Sequence, residues 1–265
     1  MIALVGVGKL GEALLSGLLR AGTPAAELVA AERYAARSAE IAERYGVSTS
    51  TPEQAVGRAD VVLLAVKPQD MTALLAEIGP HVRAQTLVVT VAAGIPTATI
   101  EAHLAPGTPV VRVMTNTPVF VDEAMSAVSA GASAGEEHLR VVEELLRHVG
   151  KVIRVPESQQ DAVTALSGSG PAYFFFLVEA MIDAGILLGL PRAVAAELIV
   201  QTAVGSARML RESGEHPVLL REAVTSPGGT TISAIRTMED RGVRAALIAA
   251  IEAARDRSVE LAAGG

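Results

Sequence analysis

Apolar residues along the first half of the chain fall into two patterns. Short β-branched runs predict strands at residues 2–5, 28–31, 47–48, 61–66, 87–92, 110–114, 125–128 and 152–155. Between them, apolar positions recur every third or fourth residue. In residues 33–45 an Ala and Ile face is set among charges, and in residues 136–149 Leu139, Val142, Leu145 and Leu146 alternate with Glu and Arg. Strands alternating with amphipathic helices predict βαβ units and a largely parallel sheet. After Pro156 the strand pattern stops, and helices are predicted near 157–168, 171–188, 191–213, 216–224, 230–240 and 243–262. The expected architecture is an α/β sheet domain, residues 1–156, followed by an all-helical domain, residues 157–265.

The opening stretch carries the most specific chemistry. Residues 2–5 run into Gly6, Gly8 and Gly11 in the spacing G-x-G-x-x-G, followed by a helix bearing Leu10, Leu14, Leu15, Leu18 and Leu19 that ends at Gly22. In that setting the glycines permit a tight turn, close approach of a pyrophosphate and close helix-strand packing, with the helix N-terminus facing the phosphates. Glu32 follows at the end of the second strand, where an acid meets the adenosine ribose. The sheet domain therefore reads as a Rossmann-type dinucleotide site, with Gly6, Val7, Gly8, Lys9, Leu10, Gly11, Glu32 and Arg33 at the cofactor. Because ligands of open α/β sheets bind beyond the carboxyl ends of the strands, three later loops are expected to converge there: Ala65, Val66, Lys67 and Pro68; Ala93 and Gly94; and the loop holding Asn116. Each also has an ordinary use as loop punctuation, and Arg112 nearby as the partner of a carboxylate.

Composition narrows the alternatives. The chain has 265 residues, a net charge of −7 and no Cys, so a disulfide framework and sulfur metal sites are excluded, and a reducing cytoplasm is expected. Five scattered His give no ligand spacing, and no metal is expected. The negative charge without a basic patch argues against nucleic acid. No leader pattern opens the chain, and the longest uncharged run, residues 162–178, is interrupted by Thr, Ser, Gly and Pro, so no membrane span is expected.

In the helical half, Pro171 opens a helix that holds Tyr173, Phe174, Phe175 and Phe176 and is apolar nearly all round apart from Glu179 and Asp183. Such a helix is either a central core helix of a monomer or part of a subunit interface. Further on, Ser226, Pro227, Gly228, Gly229, Thr230 and Thr231 precede a helix. They make either a nest for a small carboxylate or simply a helix cap.

Taken in order, Gly-Val-Gly-Lys-Leu-Gly, Ala-Val-Lys-Pro, Ala-Gly-Ile, Arg-Val-Met-Thr-Asn-Thr-Pro, Ser-Gly-Ser-Gly-Pro-Ala-Tyr, Asp183-Ala-Gly and Val-Thr-Ser-Pro-Gly-Gly-Thr-Thr resemble the pyrroline-5-carboxylate reductases over the whole chain. The resemblance implies NAD(P)H-dependent reduction of the cyclic imine 1-pyrroline-5-carboxylate to L-proline, in a homodimer or larger homo-oligomer built through the helical domain. It places the substrate against Ser169, Gly170, Ser226, Gly228, Gly229, Thr230 and Thr231, with Thr231 as the catalytic hydroxyl at the ring nitrogen. Such an imine is already electrophilic, so no strong base is required. The family usually has Pro where Thr115 stands, and often Asn near Thr51 and Pro52. The cofactor is NADPH or NADH, with NADPH slightly favoured because Arg33 and Arg37 follow Glu32 and could take a 2′-phosphate if Glu32 turns away. Two rivals remain: a β-hydroxyacid dehydrogenase, which needs a Lys base on the central helix although Lys9, Lys67 and Lys151 all precede the helical half, and a non-catalytic NAD(P)-binding protein.

Overall fold

A computed structural model describes residues 1–263. Its elements run β1 (Ile2–Val5), α1 (Lys9–Arg20), β2 (Leu28–Ala31), α2 (Ala35–Tyr45), β3 (Ser48–Ser50), α3 (Pro52–Arg58), β4 (Val61–Leu64) and α4 (Pro68–Ile78). They continue with β5 (Leu87–Thr90), α5 (Thr97–Glu101), β6 (Val110–Met114), β7 (Ala124–Ala130), α6 (Glu136–Arg147) and β8 (Gly150–Arg154). The helical remainder is α7 (Gln160–Val163), α8 (Gly170–Leu187), α9 (Arg192–Ser213), α10 (Pro217–Ala223), α11 (Thr230–Asp240) and α12 (Val243–Ala263).

The strands form one eight-stranded sheet in the order β3-β2-β1-β4-β5-β6-β7-β8. Neighbours are parallel except where β7 runs antiparallel to β6. Strand alternation sorts the core into two layers. Leu4, Leu63, Val89 and Val111 face Leu14, Leu18, Val142 and Leu146 of α1 and α6 on one side. Ala3, Val5, Val62, Leu64 and Val88 face Val56, Met71, Leu75 and Ile78 of α3 and α4 on the other. Burial on both faces explains why the central strands read as unbroken apolar runs.

The chain divides into two compact units. The first is Met1–Ser169 together with the last turns of α12 from Ala254, and the second is Gly170–Ala253. The expected division after residue 156 marks where the strands stop. The compact division comes later because the next segment is bound to the sheet. Buried Arg112 of β6 reaches Glu157 (3.5 Å) and Asp161 (3.9 Å), fully buried Gln160 donates to the Ala127 carbonyl and the Ser129 hydroxyl, and Ser258 of α12 donates to Asp161. Nor is residues 157–168 a continuous α-helix. It is a 3₁₀ turn at Glu157–Gln159, the single turn α7, and a π-turn at Thr164–Gly168 closed by the Ser169 N–H on the Thr164 carbonyl at 2.8 Å. A wide turn of this kind recurs at functional sites.

In the second unit, α8 and α9 pack where Gly185 meets Ala195. Within the described chain α8 buries none of its residues, and Phe175, Phe176 and Leu187 are 66%, 69% and 88% exposed. A central helix of a monomer is thereby ruled out. Both α8 and α9 are long and apolar enough to cross a membrane by length and composition, but their apolar surface has a simpler use described below.

Candidate functional site

Strand register sets the site in the first unit. Val5 pairs with Ala31 on one side and Leu64 on the other, and Leu64 pairs with Thr90. Gly6, Glu32, Ala65 and Val91 therefore leave the sheet on one level, and the loops after β1, β2, β4 and β5 open along one edge. Gly6 has φ +87°, a conformation that favours glycine, and a Cβ there would lie 2.7 Å from Val66 Cγ1. At Gly11 a Cβ would overlap the Gly6 carbonyl oxygen, so helix and turn touch through backbone. At Gly8 a Cβ would meet nothing within 4 Å. Gly8 is the N-cap of α1, and no side chain caps it, so the first N–H groups of the helix stay available to an anion. Space at Gly8, an uncapped helix N-terminus and an acid at Glu32 together fit a dinucleotide pyrophosphate and ribose.

The Val7 peptide is held from both sides. Its N–H donates to Glu32 Oε2 at 3.0 Å, and its carbonyl accepts from Arg37 Nε at 3.1 Å. The other Glu32 oxygen accepts from the Tyr34 N–H at 3.3 Å, so Glu32 is turned toward the glycine loop rather than away from it. Arg37 is bound in turn by Glu12 and Glu40, while Glu12 also accepts from Arg44 and the Tyr45 hydroxyl. Burial works against the Glu12 charge, but the Arg37 and Tyr45 hydrogen bonds and the Arg37 and Arg44 charges outweigh it and hold its carboxyl below the usual range. Hydrogen bonds from Arg37 to Glu40 and then Glu12 raise the Arg37 value. A lowered carboxyl value means that this contribution is complete at neutral pH and is lost only as pH falls through it.

These contacts correct one expectation. Arg37, expected beside Arg33 as a 2′-phosphate partner, is committed to Glu12, Glu40 and Val7. Arg33 is exposed and makes no hydrogen bond or ion pair among the described residues. Glu12 escaped notice in the sequence, although an acid in the first turn after the glycines, facing the arginines of α2, was a usable signal.

The remaining loops follow the same edge. Lys67 is the exposed N-cap of α4 with Pro68 at its first position. Ala93 and Gly94 lead toward α5, whose first residue Thr97 gives both its N–H and its hydroxyl to Glu157, each at 2.7 Å. Thr115 is buried and accepts from the Ser126 hydroxyl at 2.9 Å, a bond that ties the loop to β7. Thr51 caps α3 by accepting from the Gln54 N–H. Asn116 does not present a free carboxamide. Its Oδ1 accepts from the Met125 N–H at 2.9 Å, and its Nδ2 donates to the Ser167 carbonyl at 3.1 Å and hydroxyl at 3.4 Å. Asn116 thereby ties the end of β6 to the turn that leads into Ser169 and Gly170.

In the second unit the stretch from Ser226 to Thr231 folds as a tight turn onto α11. The Gly229 N–H donates to the Ser226 carbonyl, Gly228 has φ +67°, and a Cβ at Gly229 would overlap Ser226 Oγ. Gly229 is the N-cap of α11 and has no side-chain cap. The hydroxyls of Thr164, Thr202, Thr225 and Thr237 each bond back to the carbonyl four residues earlier. Thr231 lies too near the start of its helix to do so, and its hydroxyl has no hydrogen-bond partner among the described residues. Open N–H groups and a free hydroxyl therefore sit together at one helix start, which more than a simple cap requires. Among the described residues no three His, Cys, Asp or Glu converge as a metal site would need.

Two family profiles match the chain: residues 157–261 match one described as pyrroline-5-carboxylate reductase dimerisation, and residues 1–94 one described as NADP oxidoreductase, coenzyme F420-dependent. The first supplies the use of the exposed α8 and α9 surface, which is the kind an assembly of subunits covers. The pyrroline-5-carboxylate reductase of Corynebacterium melassecola is 46% identical over 98% of each chain. The structure of the Coxiella burnetii pyrroline-5-carboxylate reductase matches with a TM-score of 0.91 at 36% identity, covering 98% of this chain and 97% of that one. The Plasmodium falciparum pyrroline carboxylate reductase, solved with NADP bound, matches with a TM-score of 0.89 at 26% identity over 98% and 97% of the two chains. With a glycine turn shaped for a dinucleotide, an uncapped threonine-rich helix start and this likeness along its length, the chain belongs to the pyrroline-5-carboxylate reductase family.

Proposed function

We propose that the protein reduces 1-pyrroline-5-carboxylate to L-proline as a cytoplasmic homodimer or larger homo-oligomer. The observation that carries this is the uncapped start of α11, where a free Thr231 hydroxyl stands beside open N–H groups in a chain that also bears a dinucleotide turn. NAD(P)H supplies the hydride to the imine carbon when bound. Gly8, Lys9, Leu10 and Gly11 hold its pyrophosphate on a turn shaped by Gly6 and Val7, whose own N–H groups are bonded to Ala31 and Glu32; Glu32 and Arg33 meet its adenosine ribose, and the loops with Ala65, Val66, Lys67, Pro68, Ala93 and Gly94 the rest of its length. The N–H groups of Thr230 and Thr231 hold the substrate carboxylate without a formal positive charge, while Gly229, whose own N–H is spent on the Ser226 carbonyl, shapes the turn with Ser226 and Gly228. The Thr231 hydroxyl hydrogen-bonds the ring nitrogen and relays a proton to it from solvent water as the carbon is reduced, taking up the water proton as it gives its own. Ser169 and Gly170 line the same substrate. Every Lys of the sequence precedes the helical half, which disfavours the alcohol chemistry of a β-hydroxyacid dehydrogenase.

The test is oxidation of NADPH in the presence of pyrroline-5-carboxylate, with a β-hydroxyacid and NADP⁺ as comparison. Turnover only of the second pair, or cofactor binding without turnover of either, overturns the assignment.

For the cofactor, Glu32 has not turned away and Arg37 is taken up by Glu12 and Glu40, so the slight preference for NADPH rests on Arg33 alone, the group without a partner at the ribose end among the described residues. Arg33→Ala is expected to raise the KM for NADPH at least about tenfold, the scale of a lost charge-assisted hydrogen bond, and to leave the KM for NADH nearly unchanged. Equal changes for both cofactors would remove the 2′-phosphate role.

A further inference from the structure

The Asn116 carboxamide is bonded at both ends inside the first unit. One end accepts from Met125 of β7 and the other donates twice to Ser167, the residue before Gly168 in the π-turn. A second contact works in the same direction. A Cβ at Gly168 would overlap Met114 Cε, so the π-turn rests directly on the end of β6 one position before Thr115. A third fixes the exit of the turn, where the Ser169 N–H closes on the Thr164 carbonyl at 2.8 Å. Ser167 is thus bonded from below, Gly168 is packed from below, and Ser169 is closed onto Thr164. A carboxamide tied down at both ends in this way is held to the turn and the sheet, with one acceptor lone pair of Oδ1 as its remaining capacity.

We propose that Asn116 is a positioning residue for the substrate, acting through Ser167 to fix where Ser169 and Gly170 stand, and that it is not a ligand of the dinucleotide. This rests on the reductase reading for what Ser169 and Gly170 touch, but not for the geometry. The two ends of the carboxamide do different work. Oδ1 satisfies a ladder N–H of β7 and belongs to the fold. Of the two ends, Nδ2 is the one that reaches the turn. Asn116→Asp keeps the first and abolishes the second, replacing a donor with an oxygen that faces the Ser167 carbonyl. It is close to the same size, so the sheet is preserved while the turn is released.

The experiment compares wild type, Asn116→Asp and Ser167→Ala by three readouts: amide hydrogen exchange, steady-state kinetics and NADPH binding by fluorescence titration. In Asn116→Asp, exchange at Ser169 is expected to rise at least about tenfold, as the loss of two hydrogen bonds allows. The kcat/KM for pyrroline-5-carboxylate is expected to fall about 10-fold to 10²-fold through displacement of the substrate-side turn, while the Kd for NADPH changes by less than about twofold. Ser167→Ala keeps the carbonyl contact and is expected to stay near wild type in all three. A rise in NADPH Kd matching the kinetic loss makes Asn116 a cofactor ligand and overturns the proposal, as does unchanged exchange at Ser169. If Asn116→Asp melts well below wild type, Asn116→Ser, which cannot span to Ser167, is put through the same readouts and judged by the same outcomes. Faster exchange at Ser169 in a protein whose wild type does not turn over pyrroline-5-carboxylate sinks the reductase reading and leaves the clamp standing.

Discussion

Replacing Thr231 with alanine is expected to lower kcat about 10²-fold, the scale of one positioned proton donor, while the Kd for NADPH stays within about twofold of wild type. The reason lies in where the hydroxyl stands. Four other threonines, three in helical turns and Thr225 just past α10, bond their hydroxyls to the carbonyl four residues back and are spent there. Thr231 stands in the first turn of α11, before any such carbonyl exists, and its hydroxyl is free to meet a ligand. Nothing in the fold leans on it, so the substitution should leave the melting temperature almost unmoved. Thr231→Ser retains the hydroxyl and should recover most of the turnover. Stopped-flow kinetics with pyrroline-5-carboxylate at saturating NADPH measures both variants. Wild-type kcat in the alanine variant would assign protonation of the ring nitrogen to water or to another group.

The sheet was legible in the sequence because its central strands are buried on both faces. Runs such as Val61 to Leu64 and Leu87 to Thr90 carry nothing polar but one Thr, and nothing else of that length explains them. The glycine turn was legible because each glycine answers a different geometric demand, and those demands are visible at Gly6, Gly8 and Gly11. The all-round apolar character of α8 signalled a partner surface, since a helix with no polar face has no side to show to water. What stayed hidden were relations that no local pattern encodes. The segment 157–168 looks helical by composition, but Arg112, Gln160 and Asp161 tie it to the sheet, and Asn116 and Met114 hold its last turn. Arg33 and Arg37, four positions apart beside the same strand end, could not be ranked as phosphate partners until Glu12 was seen to hold one of them. Asn116 had the right place for a ligand, but its carboxamide bonds Met125 and Ser167, which no local pattern announces.

Substitutions at Gly8 and Gly11 are expected to fail in opposite ways, although both belong to one motif. A Cβ at Gly11 would overlap the Gly6 carbonyl oxygen and press on Ala65, and backbone cannot step aside as a flexible side chain can. Gly11→Val should therefore destabilise the sheet unit by roughly 3 kcal/mol, at the upper end of overpacking, or prevent its folding. At Gly8 the same atom meets no protein within 4 Å, and φ −71° with ψ −167° suits any residue. Gly8→Ala should cost less than about 0.5 kcal/mol, as for a surface change. The space it fills is the space a pyrophosphate needs to reach the open N–H groups of α1, so its NADPH affinity should fall about 10²-fold, near the loss from a misplacement of about 1 Å. Thermal melts and NADPH titrations on the two variants separate the effects. A Gly8→Ala protein that binds NADPH as tightly as wild type would show that the phosphates do not approach this turn, and with that the cofactor site built on it would fall.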